Sequence, residues 1–249
     1  MRAEFHSLVT VVTGAGSGIG LAVSKKLKSQ GATVIGLDLH LGEFGSIGQM
    51  VVCDIGDDAS VTVAFEEISK STDVIDVLIN NAGIGAIGTV ESATTHEWNK
   101  VLNTNVIGTS RVTAAALPFL RRSSNAAIVN TCSVVANFGF PERTIYSASK
   151  GAILALTLSM ASDFLKEGIR VNCVNPSTTD TPWVGRLLSQ AKDPSKERAA
   201  LESRQPIGRL VAPEEVANAI IYLAHPDQKS TTGTVLSVDG GLHSLYVPR

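Results

Sequence analysis

The chain has 249 residues, of which 44% are hydrophobic and 18% charged, and its formal net charge at pH 7 is −2. This composition supplies a large apolar core, argues against disorder and suits a single α/β domain over residues 1–249. The balanced charge argues against nucleic acid as a partner. No apolar stretch reaches the roughly 18 residues of a membrane span, and no signal-peptide core precedes the first predicted strand. We therefore expect a cytoplasmic protein that does not bind membranes.

Three cysteines, Cys53, Cys132 and Cys173, lie far apart and form no C-x-x-C pair. Such spacing indicates neither a disulfide framework nor a zinc site. We expect all three to be small buried side chains, and we predict no metal.

A β-branched apolar run at residues 8–13 predicts a buried strand. A glycine-rich turn follows, and then a helical pattern over residues 19–30. Strand, glycine turn and helix form the context of a dinucleotide fingerprint, in which the helix N-terminus faces a pyrophosphate. Taken alone, a glycine turn between strand and helix is as often only a tight turn.

Asp38 ends the second predicted strand, residues 32–37. A carboxylate there accepts hydrogen bonds from both ribose hydroxyls of NAD and repels the 2′-phosphate of NADP. Neither the glycine turn nor the residues just after Asp38 carry a lysine or arginine. We therefore predict NAD, although an aspartate at this position can also simply cap a turn.

Residues 39–49 are too short and too rich in glycine to form a full helix, so we expect this side of the sheet to be thinly covered. The other elements are predicted in alternation over residues 50–53, 57–70, 76–79, 95–122, 126–133, 146–166, 168–174, 213–224 and 234–238. Such alternation predicts a Rossmann-like, doubly wound parallel sheet of six or seven strands with helices on both faces. Ligands of such sheets bind at the carboxyl ends of the strands.

Tyr146 and Lys150 are four residues apart in a segment with strong helix formers, which places both side chains on one helix face. A free phenol loses its proton only near pH 10, so acid–base chemistry near neutrality requires roughly 3–4 kcal/mol of help. A cation about 4 Å away supplies roughly 4 kcal/mol at an effective dielectric near 20. One lysine is therefore sufficient, although Y-x-x-x-K alone is also common on ordinary solvated helices.

Further motifs accompany this pair over nearly the whole chain. In order they are residues 13–20 (TGAGSGIG), 80–83 (NNAG), Asn105, Ser133, Tyr146 with Lys150, 175–176 (NP) and 239–241 (DGG). With them the sequence resembles the short-chain dehydrogenase/reductase family.

The resemblance implies a catalytic set of Asn105, Ser133, Tyr146 and Lys150. In the family the tyrosine exchanges the proton of the substrate hydroxyl, and the lysine supports its ionisation and binds the nicotinamide ribose. The serine hydrogen-bonds the substrate oxygen, and the asparagine bends its helix and supports a proton route. The implied cofactor-binding residues are Gly14, Ser17, Gly18, Ile19, Asp38, Asp54, Ile55, Asn81, Ala82, Gly83, Tyr146, Lys150, Pro176, Thr179 and Thr181.

The chain departs from the family pattern at Ser177, because a glycine normally follows the proline of Pro176. Residues 182–209 correspond to the family's variable substrate lid. Arg143 and the segments around Thr181 and Arg204 look like family members that oxidise small hydroxy acids, such as 3-hydroxybutyrate or deoxy-sugar acids. The candidate substrate contacts are Ser133, Arg143, Tyr146, Trp183 and Arg204, although Arg143 is also readily explained as a solvated loop charge.

The resemblance thus predicts an NAD-dependent oxidoreductase that interconverts a secondary alcohol and a ketone on a small polar hydroxy acid or sugar-derived substrate. The family commonly forms homotetramers, so we expect one here. A 3-oxoacyl-carrier-protein-type ketoreductase is the alternative enzyme, although Asp38 argues against the NADPH that such enzymes usually prefer. A non-catalytic NAD-binding sensor is a second alternative, which the intact Ser133, Tyr146 and Lys150 set disfavours.

Overall fold

The computed structural model describes residues 4–189 and 191–246. Within them lies a seven-stranded sheet of order β3-β2-β1-β4-β5-β6-β7. Every neighbouring pair is parallel, which confirms the predicted doubly wound sheet with the larger of the two strand counts. The strands are β1 Val9–Thr13, β2 Thr33–Asp38, β3 Gln49–Val52, β4 Val77–Asn80, β5 Ala127–Thr131, β6 Arg170–Pro176 and β7 Val235–Val238.

Helices cover both faces of the sheet. One apolar cluster packs α2, α4 and α5 on one face, and a second packs α1 and α8 on the other. The helices are α1 Gly18–Ser29, α2 Asp58–Ser69, α3 Thr95–Leu102, α4 Gly108–Leu120, α5 Thr144–Asp163, α6 Pro182–Ser189, α7 Pro194–Ser203 and α8 Pro213–Ala224. None of those in the described ranges combines the length and apolar character that crossing a bilayer requires.

The segment between β2 and β3 forms no helix, as predicted, and its covering of the sheet is thin, since Leu39, Leu41 and Val52 are exposed. Phe44 is 1% exposed and belongs to the apolar cluster of α1 and α8. A Cβ on Gly36 of β2 would lie 2.7 Å from the Phe44 ring, so the absence of a side chain at Gly36 makes room for that ring. One aromatic side chain of this segment is therefore buried against the sheet.

The helical stretch predicted over residues 95–122 is interrupted. A π-helical turn, Asn103–Ile107, separates α3 from α4, and the Thr109 hydroxyl donates to the carbonyl of Asn105 at 2.8 Å. Such turns are frequent at functional sites. Pro118 lies within α4, which ends two residues later at Leu120.

Two strand boundaries near the site differ from prediction. β5 ends at Thr131, so Ser133 lies beyond the strand rather than within it, and β6 extends to Pro176. The predicted lid region contains the short helices α6 and α7, which share an apolar cluster of Val184, Leu188, Leu201 and Leu210. Both differences concern strand ends, where the cleft opens.

Candidate active site

A cleft of about 1190 Å³ opens at the carboxyl ends of the strands, where this sheet topology places ligands. All fifteen residues predicted to contact a cofactor line it, as do Ser133, Arg143, Trp183 and Arg204. Asn105 is not among its lining residues and lies behind the wall. The structure therefore brings together every predicted site residue but one.

The glycine turn ends at the N-terminus of α1. Gly14 and Gly18 have φ angles of +67° and +56°, a backbone region that side chains disfavour. Ser17, the N-cap, makes no side-chain hydrogen bond to the helix, and the first turn of α1 carries no acidic residue. This helix end therefore keeps N–H groups and a positive dipole for an anion such as a pyrophosphate.

Asp38 is held in place beside the glycine turn. Its Oδ2 accepts the Gly16 N–H at 2.9 Å and its Oδ1 accepts the His40 N–H at 3.2 Å. A carboxylate oxygen has two lone pairs, so each oxygen can accept one further donor. No lysine or arginine occurs in residues 37–55, which contribute this end of the cleft lining. The arrangement fits two ribose hydroxyls better than a phosphate.

The turn after β4 forms the middle of the cleft floor. The Thr13 hydroxyl accepts the N–H groups of Asn81 and Ala82 at 2.9 and 3.0 Å, and Asn81 Nδ2 donates to the Thr13 carbonyl at 3.1 Å. These bonds join the ends of β1 and β4 and fix the position of the turn that forms the floor.

Lys150 and Tyr146 share the inner face of α5. Lys150 is 5% exposed, and its Nζ donates to the Thr131 carbonyl at 2.7 Å. The same Nζ lies 5.7 Å from the centroid of the Tyr146 ring. Lys150 has no salt-bridge partner among the described residues, so its positive charge is available to the phenol and to a ligand.

Ser133 follows β5 and begins a short 3₁₀ turn. It is 9% exposed, and its Oγ accepts the Val135 N–H only at 3.5 Å. A bond of this length is weak. The hydroxyl is consequently free to turn toward a ligand in the cleft.

Asn105 is 1% exposed, and its side-chain amide forms hydrogen bonds within the protein. Its Oδ1 accepts the Ile84 N–H at 2.8 Å, and its Nδ2 donates to the Ile84 carbonyl at 2.9 Å and to the Ser149 hydroxyl at 3.1 Å. These contacts tie the wall segment of Ile84 to α5. The part of Asn105 in a proton route stays a prediction.

Cys132 has an environment that the sequence did not suggest. All three cysteines are free and buried, and Cys132 Sγ lies 3.2 Å from the Lys150 carbonyl oxygen. A hydrogen bond with the Cys173 thiol, followed by the Lys150 ammonium and opposed by burial, lowers the pKa of Cys132. Cys173 and Lys150 are both distant from Cys132 in the sequence, so no local pattern predicts these contacts.

The opposite side of the cleft carries less tightly bonded side chains. Arg143 is half-buried, and its recorded hydrogen bond runs to the Glu142 carbonyl at 3.1 Å. Arg204 is exposed, and the Trp183 ring lies against Gly85. Neither arginine pairs with a carboxylate in the described part of the chain, whereas Arg198 of the same lid bonds Asp180 and Glu202.

Gln205, which the sequence reasoning missed, also lines the cleft and is 4% exposed. The resemblance around Arg204 points to this segment, but it assigned Gln205 no role. Within the described ranges no group of three or more His, Cys, Asp or Glu side chains could hold a metal ion.

The parallel sheet, the open helix N-terminus and the Tyr146–Lys150 pair in one cleft define a dinucleotide-binding oxidoreductase. A family model described as Enoyl-(Acyl carrier protein) reductase matches residues 14–243. The chain belongs to the short-chain dehydrogenase/reductase family, whose relatives oxidise or reduce alcohol and ketone groups.

Two relatives and one solved structure illustrate the similarity. The chain is 34% identical over 244 residues to a 3-oxoacyl-acyl-carrier-protein reductase of Thermotoga maritima, covering 94% of this chain and 97% of the relative. It is 36% identical over 255 residues to cis-4-hydroxycyclohexanecarboxylate dehydrogenase of Sinomonas cyclohexanicum, covering 97% and 98%. The ligand-free structure of Thermoplasma acidophilum aldohexose dehydrogenase superimposes with a TM-score of 0.92 at 32% identity and covers 100% of both chains.

Proposed function

We propose that the protein is an NAD-dependent dehydrogenase that interconverts a secondary alcohol and a ketone on a small hydroxy acid or sugar-derived substrate. One observation carries the proposal: Ser133, Tyr146 and Lys150 line the same cleft as Asp38 and the glycine turn. An acid–base group and a nucleotide site in one cavity support alcohol oxidation rather than binding alone.

The residues present fit a dinucleotide. The uncapped N-terminus of α1 offers N–H groups to the pyrophosphate, and Asp38 offers one free lone pair on each oxygen to the adenosine ribose. Pro176, Thr179 and Thr181 are the candidates for the nicotinamide end. The bound nicotinamide supplies the hydride acceptor or donor.

The chain's own residues handle the proton and the substrate oxygen. In the oxidation direction the Tyr146 phenolate accepts the proton of the substrate hydroxyl. The buried Lys150 ammonium stabilises that phenolate, and its bond to the Thr131 carbonyl fixes its position. The Ser133 hydroxyl hydrogen-bonds the substrate oxygen. In the reduction direction Tyr146 returns the proton while Ser133 polarises the carbonyl.

Arg143 and Arg204 support an acidic substrate. Both line the cleft without a carboxylate partner among the described residues, and an arginine can bind a carboxylate through two parallel hydrogen bonds. The similarity to a dehydrogenase named for a hydroxy carboxylate agrees with this assignment. Homotetramer assembly and cytoplasmic location stay predictions made from the family resemblance.

A 3-oxoacyl-carrier-protein-type ketoreductase is the second candidate, favoured by the similarity to the Thermotoga maritima reductase. The Asp38 carboxylate counts against it, since it repels the 2′-phosphate of NADPH. The two functions also differ in the substrate they need, because an acyl thioester presents an apolar chain where a hydroxy acid presents charge.

The experiment is a spectrophotometric screen of the purified protein. NAD and NADP are offered with hydroxy acids, sugars and neutral alcohols, and NADH and NADPH are offered with a 3-oxoacyl thioester. The proposal predicts NAD reduction with a hydroxy acid or sugar above that with neutral alcohols. Turnover confined to NADPH and the thioester supports the ketoreductase instead. NADH binding without turnover of any substrate supports the sensor.

A further inference from the structure

The loop of residues 54–56 follows β3 and lies at the same end of the cleft as Asp38. The Cys53 N–H, just before the loop, donates to the Asp38 carbonyl at 2.9 Å. Asp54 and Ile55 both line the cleft, as Asp38 does. Because the proposed function assigns Asp38 to the adenosine ribose, the 54–56 loop is where the adenine of the cofactor would lie. What holds this loop in place therefore matters for cofactor binding.

Arg111, on α4, holds the loop from outside the cleft. Its Nη1 donates to the Ile55 carbonyl at 2.7 Å, and Arg111 is not among the residues that line the cleft. The Arg111 side chain is 13% exposed. A charge-assisted hydrogen bond that is sheltered from water is stronger than a neutral or solvated one. The guanidinium therefore fixes the position of the Ile55 carbonyl.

Asp58, the first residue of α2, orients the same guanidinium. Its carboxylate bonds Arg111 Nε, and its Oδ2 also accepts a hydrogen bond from Nη2 at 3.3 Å. Two parallel bonds restrict the plane of a guanidinium, and the remaining nitrogen is the one that bonds the Ile55 carbonyl. The positive charge of Arg111 is thus paired outside the cleft, so it serves the loop rather than a 2′-phosphate.

Asn103, in the π-helical turn before α4, bonds the next carbonyl of the loop. Its Nδ2 donates to the Gly56 carbonyl at 2.7 Å, and its Oδ1 lies 3.5 Å from Arg111 Nη2. Asn103 does not line the cleft, whereas Thr104, the next residue, does. Two successive carbonyls of the loop are therefore bonded by side chains from one continuous helical stretch.

The close approach of α4 to the loop requires a glycine at its first residue. A Cβ on Gly108 would lie 2.8 Å from the Ile55 carbonyl oxygen and 3.0 Å from Ile55 Cγ1. Any side chain there would push the loop away from the helix. Ile55 is itself 6% exposed and belongs to the apolar cluster of α2, α4 and α5. Hydrogen bonds and apolar packing thus hold the loop on the same helix.

We infer that Arg111 and Asn103 are positioning residues for the cofactor, which hold the 54–56 loop where adenine binds and so set the affinity for the adenosine half. This inference rests on the proposed function, which supplies the dinucleotide. A contact that only joined α4 to α2 would be complete with the pair of Arg111 and Asp58. The two further bonds go to carbonyls of a loop that also lines the cleft.

The test separates cofactor binding from the chemical step. ADP-ribose contains every part of the cofactor except the nicotinamide ring, and calorimetry measures its dissociation constant without turnover. For Arg111→Met we expect this constant, the NADH dissociation constant and the KM for NAD to rise about tenfold. The kcat at saturating NAD and the KM for the alcohol should be nearly unchanged, because Arg111 does not touch the reacting end.

Two further variants sharpen this expectation. Arg111→Lys should bind ADP-ribose more tightly than Arg111→Met and less tightly than the wild type, since an ammonium can donate to the Ile55 carbonyl but cannot also form the two-bond pair with Asp58. Asn103→Ala loses a neutral hydrogen bond, so we expect a smaller rise of about threefold in the ADP-ribose dissociation constant.

Matched controls exist for both positions. Arg121, at the end of the same helix, bonds both oxygens of Glu167 and does not line the cleft. Asn99 is exposed on α3 and does not line the cleft. Arg121→Met and Asn99→Ala should bind ADP-ribose and NADH as the wild type does. Chemical denaturation of each variant checks that it is folded.

The contrary outcomes separate this inference from the proposed function. ADP-ribose binding by Arg111→Met as tight as in the wild type, or a kcat that falls as far as the affinity, would overturn the inference and leave an NAD-dependent wild type standing. If Arg111→Met does not fold, unchanged ADP-ribose binding by both Arg111→Lys and Asn103→Ala overturns it instead. A wild type that binds neither ADP-ribose nor NADH would reject the proposed function, and the inference with it.

Discussion

The two walls of the cleft differ in how their polar side chains are bonded. On the inner wall, formed by Asn81 and Lys150 with Asn105 directly behind it, each of these side chains bonds the protein's own backbone. On the outer wall, formed by Arg143, Ser177 and Gln205, polar atoms lack such partners or bond only a neighbouring carbonyl. Groups that carry out one fixed reaction benefit from being held before a ligand binds. Groups that recognise a particular substrate leave their bonds to be completed by it.

Removal of Asn105 should have the largest effect on the inner wall. Asn105→Ala deletes three buried hydrogen bonds and leaves groups of Ile84 unpaired, so we expect a loss of about 2–4 kcal/mol of unfolding free energy. Chemical denaturation measures it. Asn99→Ala on the neighbouring α3 is the control, and an equal small loss in both variants would show that the amide does not tie the wall together.

A substitution of Asp38 tests how the inner wall binds the adenosine ribose of the cofactor. Asp38→Ala removes an acceptor of two charge-assisted bonds from the ribose, so the NADH dissociation constant should rise about 10- to 100-fold. The NADPH dissociation constant should change little or fall, because the repulsion of its 2′-phosphate is removed. Fluorescence titration measures both constants, and equal weakening of the two would contradict the assignment of Asp38 to the ribose.

Substitutions on the outer wall should change only the kinetics that depend on the substrate. Arg143→Ala should raise the KM for a hydroxy acid about 5- to 30-fold, the equivalent of roughly 1–2 kcal/mol, and leave neutral alcohols unaffected. Arg122→Ala, at a surface arginine outside the cleft lining, is the matched control. If steady-state kinetics show the same change of KM for acids and neutral alcohols, the assignment of Arg143 to the substrate carboxylate is contradicted.

The smallest expected effect concerns the ion pair that follows the outer wall. The Arg209 guanidinium bonds both oxygens of Glu215, and the Ala212 N–H donates to the same carboxylate. The Arg209 bond, with the Ala212 bond second, lowers the pKa of Glu215 to about 2 from 4.5. Because the folded pKa is the lower one, the stabilisation is complete above pH 4.5 and is lost as the pH falls toward 2.

The Glu215 side chain is 41% exposed, so solvent screening limits its contribution to under ~1 kcal/mol. Glu215→Gln should therefore destabilise slightly at pH 6, and the difference from wild type should shrink by pH 3. Denaturant unfolding at the two pH values measures it. Glu214→Gln, one residue away in the same helix, should show a smaller difference at pH 6, and a pH-independent effect of Glu215→Gln would contradict the pairing.

The residues of the inner wall could be predicted because local patterns and the family resemblance both point to them. Alternating elements and motifs at strand ends determine which side chains meet at the carboxyl edge of a parallel sheet. Tyr146 and Lys150 meet because their spacing matches one helical turn. The missing helix after β2 followed from the same local patterns, which left the strand count at six or seven.

The features of the fold and the site that the sequence did not predict depend on contacts between distant segments. Phe44 covers the sheet because Gly36, on another element, leaves room for its ring. The π-helical turn forms where Asn105 bonds Ile84, about twenty residues earlier in the chain. Gln205 is buried although it follows α7 on the exposed side of the chain's lid region. Contacts of this kind leave no periodic pattern in a single sequence. The structure of the outer wall depends largely on such contacts.

The central claim is that the Tyr146 phenol exchanges the substrate's proton inside the nucleotide cleft. Turnover of the best substrate by Tyr146→Phe, together with its NADH dissociation constant, tests this most directly, with Tyr222→Phe on the half-exposed face of α8 as control. We predict a fall in kcat of about 10²- to 10⁴-fold for Tyr146→Phe with unchanged NADH binding, and a normal rate for Tyr222→Phe. Near-normal turnover by Tyr146→Phe with intact NADH binding would contradict the account.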